Sequence, residues 1–193
     1  MAKSILTEKL TETCVNQGDV YKDIEYIEYA LEKEGNVEFS QIVFPHVIVL
    51  TQACDLSQDY MCRKKQADRE DNNHDKILIS VLVAPIYNVE LVYKGEHLEK
   101  LGMKMSTINK NKTPGKNLRN NETPRYHYLE FPEGVPMVPS VIDFKHYFSV
   151  NVQYLESIKE EKYICSISPL YREDISQRFA SYLSRIGLPD IPK

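Results

Sequence analysis

The sequence predicts a mainly β protein, α+β by strict count: short strands curled into a small barrel, one C-terminal helix and two long polar loops. Three observations carry this. Apolar or alternating runs such as Val47-Ile48-Val49-Leu50 recur between turn residues, at strand length rather than helix length. Thirteen Tyr and no Trp suit half-buried pleated surfaces. A single segment close to the C-terminus has both helical spacing and helix-end signals.

Taken in order, residues 4–13 predict a short helix with Ile5, Leu6 and Leu10 on one side. Gln17-Gly18-Asp19 is a turn, and Val20-Tyr21 opens an extended segment. Ile24 to Leu31 fits both strand alternation and a helical stripe. Strand is favoured because Glu34-Gly35-Asn36 reads as a hairpin turn into Val37–Val43. Phe44-Pro45 should interrupt that strand, since proline lacks the N–H a ladder needs, and a new strand follows over 46–52. Residues 57–76 are strongly polar and read as a long loop, with a helical turn inside it left open. Ile77–Ala84 reads as a central strand ended by Pro85, beside 46–52.

Val89–Tyr93 fits a strand or a helix start, and Leu98–Met105 carries a helical stripe. Residues 106–125 have almost no apolar content and predict a basic, Asn-rich mobile loop. Strands are expected over Tyr126–Phe131, over Val141–Val150 (one strand or a pair) and over Tyr163–Ile167, with an extended connector at 134–139. Ser168-Pro169 then supplies an N-cap and a first-turn proline. The stripe Ile175, Phe179, Tyr182, Leu183, Ile186 follows, and Gly187 and Pro189 end the helix, expected over about 169–186. No repeat or boundary divides the chain, so one domain over 1–193 is expected, with its barrel core at about 17–167.

Composition excludes several classes. No apolar run approaches the roughly 20 residues of a membrane span, and the first residues lack a signal-peptide core. A soluble cytoplasmic protein with no membrane partner is therefore expected. Cys14, Cys54, Cys62 and Cys165 are too scattered for a disulfide framework. Charge is polarised: residues 1–39 hold four basic and nine acidic side chains, residues 94–125 eight basic and three acidic. That permits a local anionic partner without requiring one.

Gln17-Gly18-Asp19-Val20-Tyr21, the segment from Phe44 to Gln52 and Leu82-Val83-Ala84-Pro85-Ile86-Tyr87-Asn88 follow the same order as blocks in the MazF/PemK/Kid-type toxins. The resemblance spans about residues 17–88 and implies an SH3-like barrel and, in that family, a dimeric ribonuclease. Phe44 stands where those toxins place an arginine before the proline, and Tyr87 where they place a threonine. Arginine and hydroxyl are the groups that would stabilise a phosphoryl transition state and handle a proton. The wider pattern, from Thr51-Gln52-Ala53-Cys54-Asp55-Leu56 to the segment 178–189, is similar to a bacterial family to which no chemistry attaches, which implies a bacterial or phage-related source.

Candidate site residues follow from chemistry. Cys54 and Asp55, at the expected strand end, are the catalytic candidates: a thiol there becomes a nucleophile when a cation or His46, His74, His127 or His146 lowers its pKa. The plainer reading is an inert cysteine followed by an aspartate holding turn amides. Cys54, Cys62, His74 and Asp55 have zinc-ligand chemistry, but seven and eleven intervening residues match no compact zinc motif, so no metal or cofactor is expected. Lys110, Lys112, Lys116, Arg119 and Arg125, with Tyr126, suit phosphates and stacked bases. Asp143, between apolar neighbours, wants a partner, and Arg125 supplies a structural ion pair. The reading that follows is a non-catalytic binding or regulatory module contacting RNA, DNA or a partner protein through the basic loop, with a homodimer open. The alternative is a divergent endoribonuclease of the toxin type or a cysteine-dependent hydrolase using Cys54.

Overall fold

Residues 47–50 are apolar at every position because both faces of their strand are buried. In the computed structural model, which describes residues 6–8, 13–67 and 73–185, that strand is the end of β3 (Asn36–Val49). The other strands are β1 (Thr7–Glu8), β2 (Asp19–Lys33), β4 (Val81–Asn88), β5 (Tyr126–Leu129), β6 (Ser140–Asp143), β7 (Phe148–Val150) and β8 (Tyr163–Ile167). The helices are α1 (Ala53–Ala67), α2 (Val89–Lys94), α3 (Thr113–Arg119), α4 (Val152–Ser157), α5 (Lys159–Lys162) and α6 (Pro169–Leu183). Every pairing is antiparallel, in the order β1-β8-β2-β3-β4-β6-β5, with β7 also against β4. The sheet curls as a half-barrel with α6 across one face, so the chain is α+β and mainly β.

The period-2 alternation of a strand divides the core in two. Val47, Val49 and Val83 join Tyr21 and Tyr87 beneath Leu56 of α1, Val92 of α2 and Leu155 of α4. Ile48, Ala84 and Ile86 join Ile142 and Phe144 beneath Ile175 and Phe179 of α6. Each fully buried aliphatic side chain contributes about 1.5–3 kcal/mol.

Glu34 and Gly35 turn the β2–β3 hairpin at φ 51° and 79°, the two-residue geometry that matches strand twist. Both prolines lie inside strands rather than ending them. Pro45 falls opposite Asp23, which sits at φ 52°, where the ladder steps from Lys22–His46 to Ile24–Phe44. Pro85 pairs with Val47 on one edge, while on the other it lies between the β7 pairing at 81–83 and the β6 pairing at 86–88. The strand expected at 77–84 is thereby displaced to 81–88.

The polar stretch expected as a loop at 57–76 is mostly α1. Its only fully inward side chains are Leu56, Asp59 and Cys62, at helical spacing. Asp59 accepts from Arg63 Nε at 2.9 Å and from the Leu78 amide at 2.8 Å, and Arg63 also grips Glu156 of α4 with two hydrogen bonds. Residues 68–72 lie outside the described residues. The basic loop at 106–125 also folds: α3 is anchored by fully buried Leu118. Only a 3-10 turn, Glu99–Leu101, forms where a longer helix was expected at 98–105, because Gly102 leaves it at φ 69°. Residues 141–150 are two strands, split by the 3-10 turn Phe144–His146. Of the helix expected at 4–13, Thr7–Glu8 pair with Ser166–Ile167 instead, and positions 4, 5 and 9–12 lie outside the described residues. So do Ile186, Gly187 and Pro189 beyond α6.

The turn at Gln17-Gly18-Asp19 ties these parts together. Gln17 accepts from the Ala53 amide at 3.1 Å, at the start of α1, and donates to Ser176 of α6 at 2.5 Å. Asp19, fully buried, receives Lys159 Nζ at 2.9 Å, the Asn16 amide at 2.9 Å and the Ser166 hydroxyl.

Gly115 inverts the usual helix rule. An added Cβ would meet Lys110 Cα at 2.4 Å and Asn109 O at 2.5 Å, both backbone. Gly115→Ala, normally a gain inside a helix, is expected to lower stability by about 1–3 kcal/mol, read as a drop in the urea midpoint with unchanged slope.

Candidate binding cleft

β3 and β4 pair where Val47–Val49 face Val83–Pro85, and the Leu50 amide extends the seam to the Leu82 carbonyl at 2.8 Å. Beyond that seam they part. β3 continues with β2 towards the hairpin tip, and β4 continues with β6 through Ile86, Tyr87 and Asn88. The gap is a cleft of about 860 Å³, between residues 41–46 on one side and residues 86–101 and 136–140 on the other. This lies within the roughly 300–1,000 Å³ of ordinary ligand sites. Among the described residues, no strand pairs with the cleft-facing edge of β3 at 41–46 or of β4 at 86–88.

The floor is apolar, with Ile42, Phe44, Ile86, Leu98 and Met137. The cleft's charged groups are Asp23, Glu96, Glu99 and Lys100, and its uncharged polar groups include His46, His97 and Tyr87. Burial lowers the pKa of His46, against the pull of Asp23, and burial likewise lowers that of His97. Both imidazoles are therefore neutral at neutral pH, and the four charged groups leave the cleft acidic. Tyr87 packs against His97 with the rings tilted by 57° and their centroids 5.1 Å apart, and burial pushes its phenol upward in pKa. Among the described residues the Tyr87 hydroxyl is shielded from solvent without a hydrogen-bond partner, while the Leu91 backbone is the polar neighbour of the His97 ring.

Behind this wall, Arg125 grips Asp143 with two hydrogen bonds, Nε–Oδ1 at 2.8 Å and Nη2–Oδ2 at 2.5 Å. The Lys145 amide also donates to Asp143 at 3.0 Å, and His146 Nδ1 lies 3.0 Å away. Burial alone would raise the Asp143 pKa; the hydrogen bonds from Arg125 and the neighbouring His146 outweigh it and hold the carboxyl at about 2. The ion pair expected from sequence is thus present. It occupies Arg125, whose guanidinium also covers the Tyr126 ring at 4.8 Å, and Tyr126 is buried. Of the six residues put forward for nucleic acid, Lys110, Lys112, Lys116 and Arg119 are exposed, and Lys110 reaches Glu90 at 3.3 Å.

Cys54 and Asp55 sit in the first turn of α1, not at a strand end, and do not line the cleft. Cys54 is exposed, and its Sγ faces Asp55 Oδ1 at 3.5 Å. The histidines expected to serve it are dispersed. His46 lines the cleft, His74 is exposed, and His146 faces Asp143. His127 is buried, its pKa pushed down to about 3 by burial and Arg178. Cys62 is buried and donates to the Asn73 carbonyl at 3.1 Å. Among the described residues, no three His, Cys, Asp or Glu side chains gather as a metal site, and no helix is long and apolar enough to cross a membrane. His97 and Glu96 were not legible as site residues, because a parting of strands brings them there rather than a motif. No family model, curated protein or solved structure matches the chain.

Asp143 has a folded pKa of about 2 against an ordinary carboxyl near 3.9. Its ion pair therefore adds stability above about pH 4, lost as pH falls towards 2 and the carboxylate takes up its proton. Urea melts across this window should show about 2 kcal/mol less acid-induced loss in Asp143→Asn than in the parent, on a lower baseline.

Proposed function

We propose that the protein is a non-catalytic binding module of a bacterial or phage-related system, acting in the cytoplasm, and that its cleft takes an extended segment of a partner polypeptide. The observation that carries this is the parting of β3 and β4, which leaves two strand edges facing one apolar gap. Exposed edges are templates for a further strand, and main-chain hydrogen bonds supply affinity in that mode. Asp23, Glu96 and Glu99 against Lys100 make the site acidic. That favours a segment carrying basic residues and disfavours nucleic acid in this cleft.

The toxin resemblance supports the same reading. Phe44 and Tyr87, at the positions of the toxins' arginine and threonine, both line the cleft. On this proposal the half-barrel is an SH3-like barrel of the MazF/PemK/Kid type whose groove has exchanged phosphoryl chemistry for an apolar floor. Cys54, exposed and away from the cleft, faces the Asp55 carboxylate rather than a histidine, which disfavours the hydrolase alternative. With Arg125 and Tyr126 occupied elsewhere, the basic segment offers lysines and Arg119 but no ring from Tyr126 for base stacking.

A synthetic Lys-Val-Thr-Val-Thr-Val-Lys peptide, titrated by amide NMR, should shift resonances at 41–46 and 86–88. N-methylation of alternate peptide amides should weaken binding about tenfold or more, since buried acceptors would be left unpaired. The reversal Glu96→Lys with Glu99→Lys should weaken it without changing the melting temperature. Undiminished binding of the N-methylated peptide, or shifts mapping elsewhere, would refute strand addition.

A further inference from the structure

The β2–β3 hairpin extends well past the body. Tyr26, Phe44 and Phe148 close its base, with ring centroids 4.7–6.4 Å apart, but every residue from 27 to 39 is exposed. This arm carries large apolar side chains on both faces. Tyr29 and Leu31 lie on one face. Phe39, opposite Ala30, and Val37, opposite Glu32, lie on the other. Val37 is 70 % exposed, Phe39 61 % and Ile27 60 %. A lone two-stranded ribbon is marginal in water, and apolar surface of this extent marks an interaction site. The arm is also acidic: Glu25, Glu28, Glu32, Glu34 and Glu38 stand against Lys33.

The same chain holds a surface of the opposite charge. Residues 100–119 contain Lys100, Lys104, Lys110, Lys112, Lys116 and Arg119 and no acidic residue, and all six are exposed. They fold as one block. The chain doubles back through Met105 N to Gly95 O at 2.9 Å and Ile108 N to Tyr93 O at 2.8 Å, and α3 closes against Lys110 at Gly115. Among the described residues, Lys110 is the one of the six with a side-chain partner in its own chain, Glu90. Met103, 43 % exposed, adds an apolar contact in the block.

We infer that the hairpin arm of one copy docks on the basic block 100–119 of a second copy, and reciprocally, so that two chains close a dimer. Each copy contributes one arm and one block, so the contact is satisfied twice and leaves no open end for further growth. Apolar arm residues supply the burial, and the opposed charges set partner choice and encounter rate. Of the charged groups in this contact Lys100 alone also lines the cleft between β3 and β4, and the substitutions below leave it in place, so the contact is tested separately from peptide binding there.

Sedimentation velocity on the full chain, up to about 0.1 mM, tests it. The chain should dimerise in low salt and associate at least tenfold more weakly in about 0.5 M salt, where exposed charges are screened. Val37→Ser with Phe39→Ser should give monomers of unchanged melting temperature, since both side chains are exposed. Glu28→Lys with Glu32→Lys on the arm, and Lys112→Glu with Lys116→Glu on the block, should each give monomers. Mixed together, those two variants should restore the dimer, because each arm then meets a block of opposite charge. A wild-type monomer throughout would overturn the inference, as would a dimer indifferent to the arm substitutions. So would a monomer whose basic block instead binds a short single-stranded RNA in a salt-dependent way.

Discussion

On its β4 side the long hairpin is held by three residue pairs, Val47–Val49 against Val83–Pro85. This short seam is where the two cores meet in register. Val47, Val49 and Val83 point into one, Ile48 and Ala84 into the other. A slip of one residue would exchange those faces and empty both cores at once. Because the seam is so tightly specified, the strands can part beyond it without losing alignment. The parting opens the cleft, and the direction in which β3 leaves carries the arm away from the body.

Charges buried beneath the surface play a complementary part. Asp19 joins the first turn of the sheet to Lys159 and Ser166 late in the chain. Asp59 and Arg63 join α1 to Glu156 of α4 and to the Leu78 amide. Asp143 joins β6 to Arg125. All three carboxylates are fully buried. Such pairs add little over well-packed apolar side chains, because desolvation offsets their attraction, but losing one partner costs about 3–5 kcal/mol. Their effect is to dictate which elements lie together. The Asp143 pair also backs the wall formed by Tyr87 and His97.

What the sequence made legible were the parts specified by local pattern. The unbroken run at 47–50 announced a strand buried on both faces, Glu34-Gly35 a hairpin, and Ser168-Pro169 with its stripe the C-terminal helix. Asp143 among apolar neighbours announced an ion pair. α1 stayed hidden because one of its three buried positions is Asp59, so its inner face reads as polar. The prolines misled because the ladder has gaps where Pro45 and Pro85 fall. Part of the cleft wall was named in advance only as two departures, Phe44 and Tyr87. Glu96, His97, Glu99 and Lys100 come from a turn after α2 whose position depends on Gly95 and Gly102 taking left-handed conformations, which spacing does not foretell.

The acidic character of the hairpin has a colloidal consequence. Two bare ribbons rich in Val, Phe, Tyr and Ile would ordinarily zip edge to edge and seed fibrils. Glu28, Glu32 and Glu38 lie within the strands of that ribbon, so arms approaching one another meet like charge at close range. The glutamates thus act as gatekeepers, letting oily side chains stay in water while barring the most dangerous self-encounter.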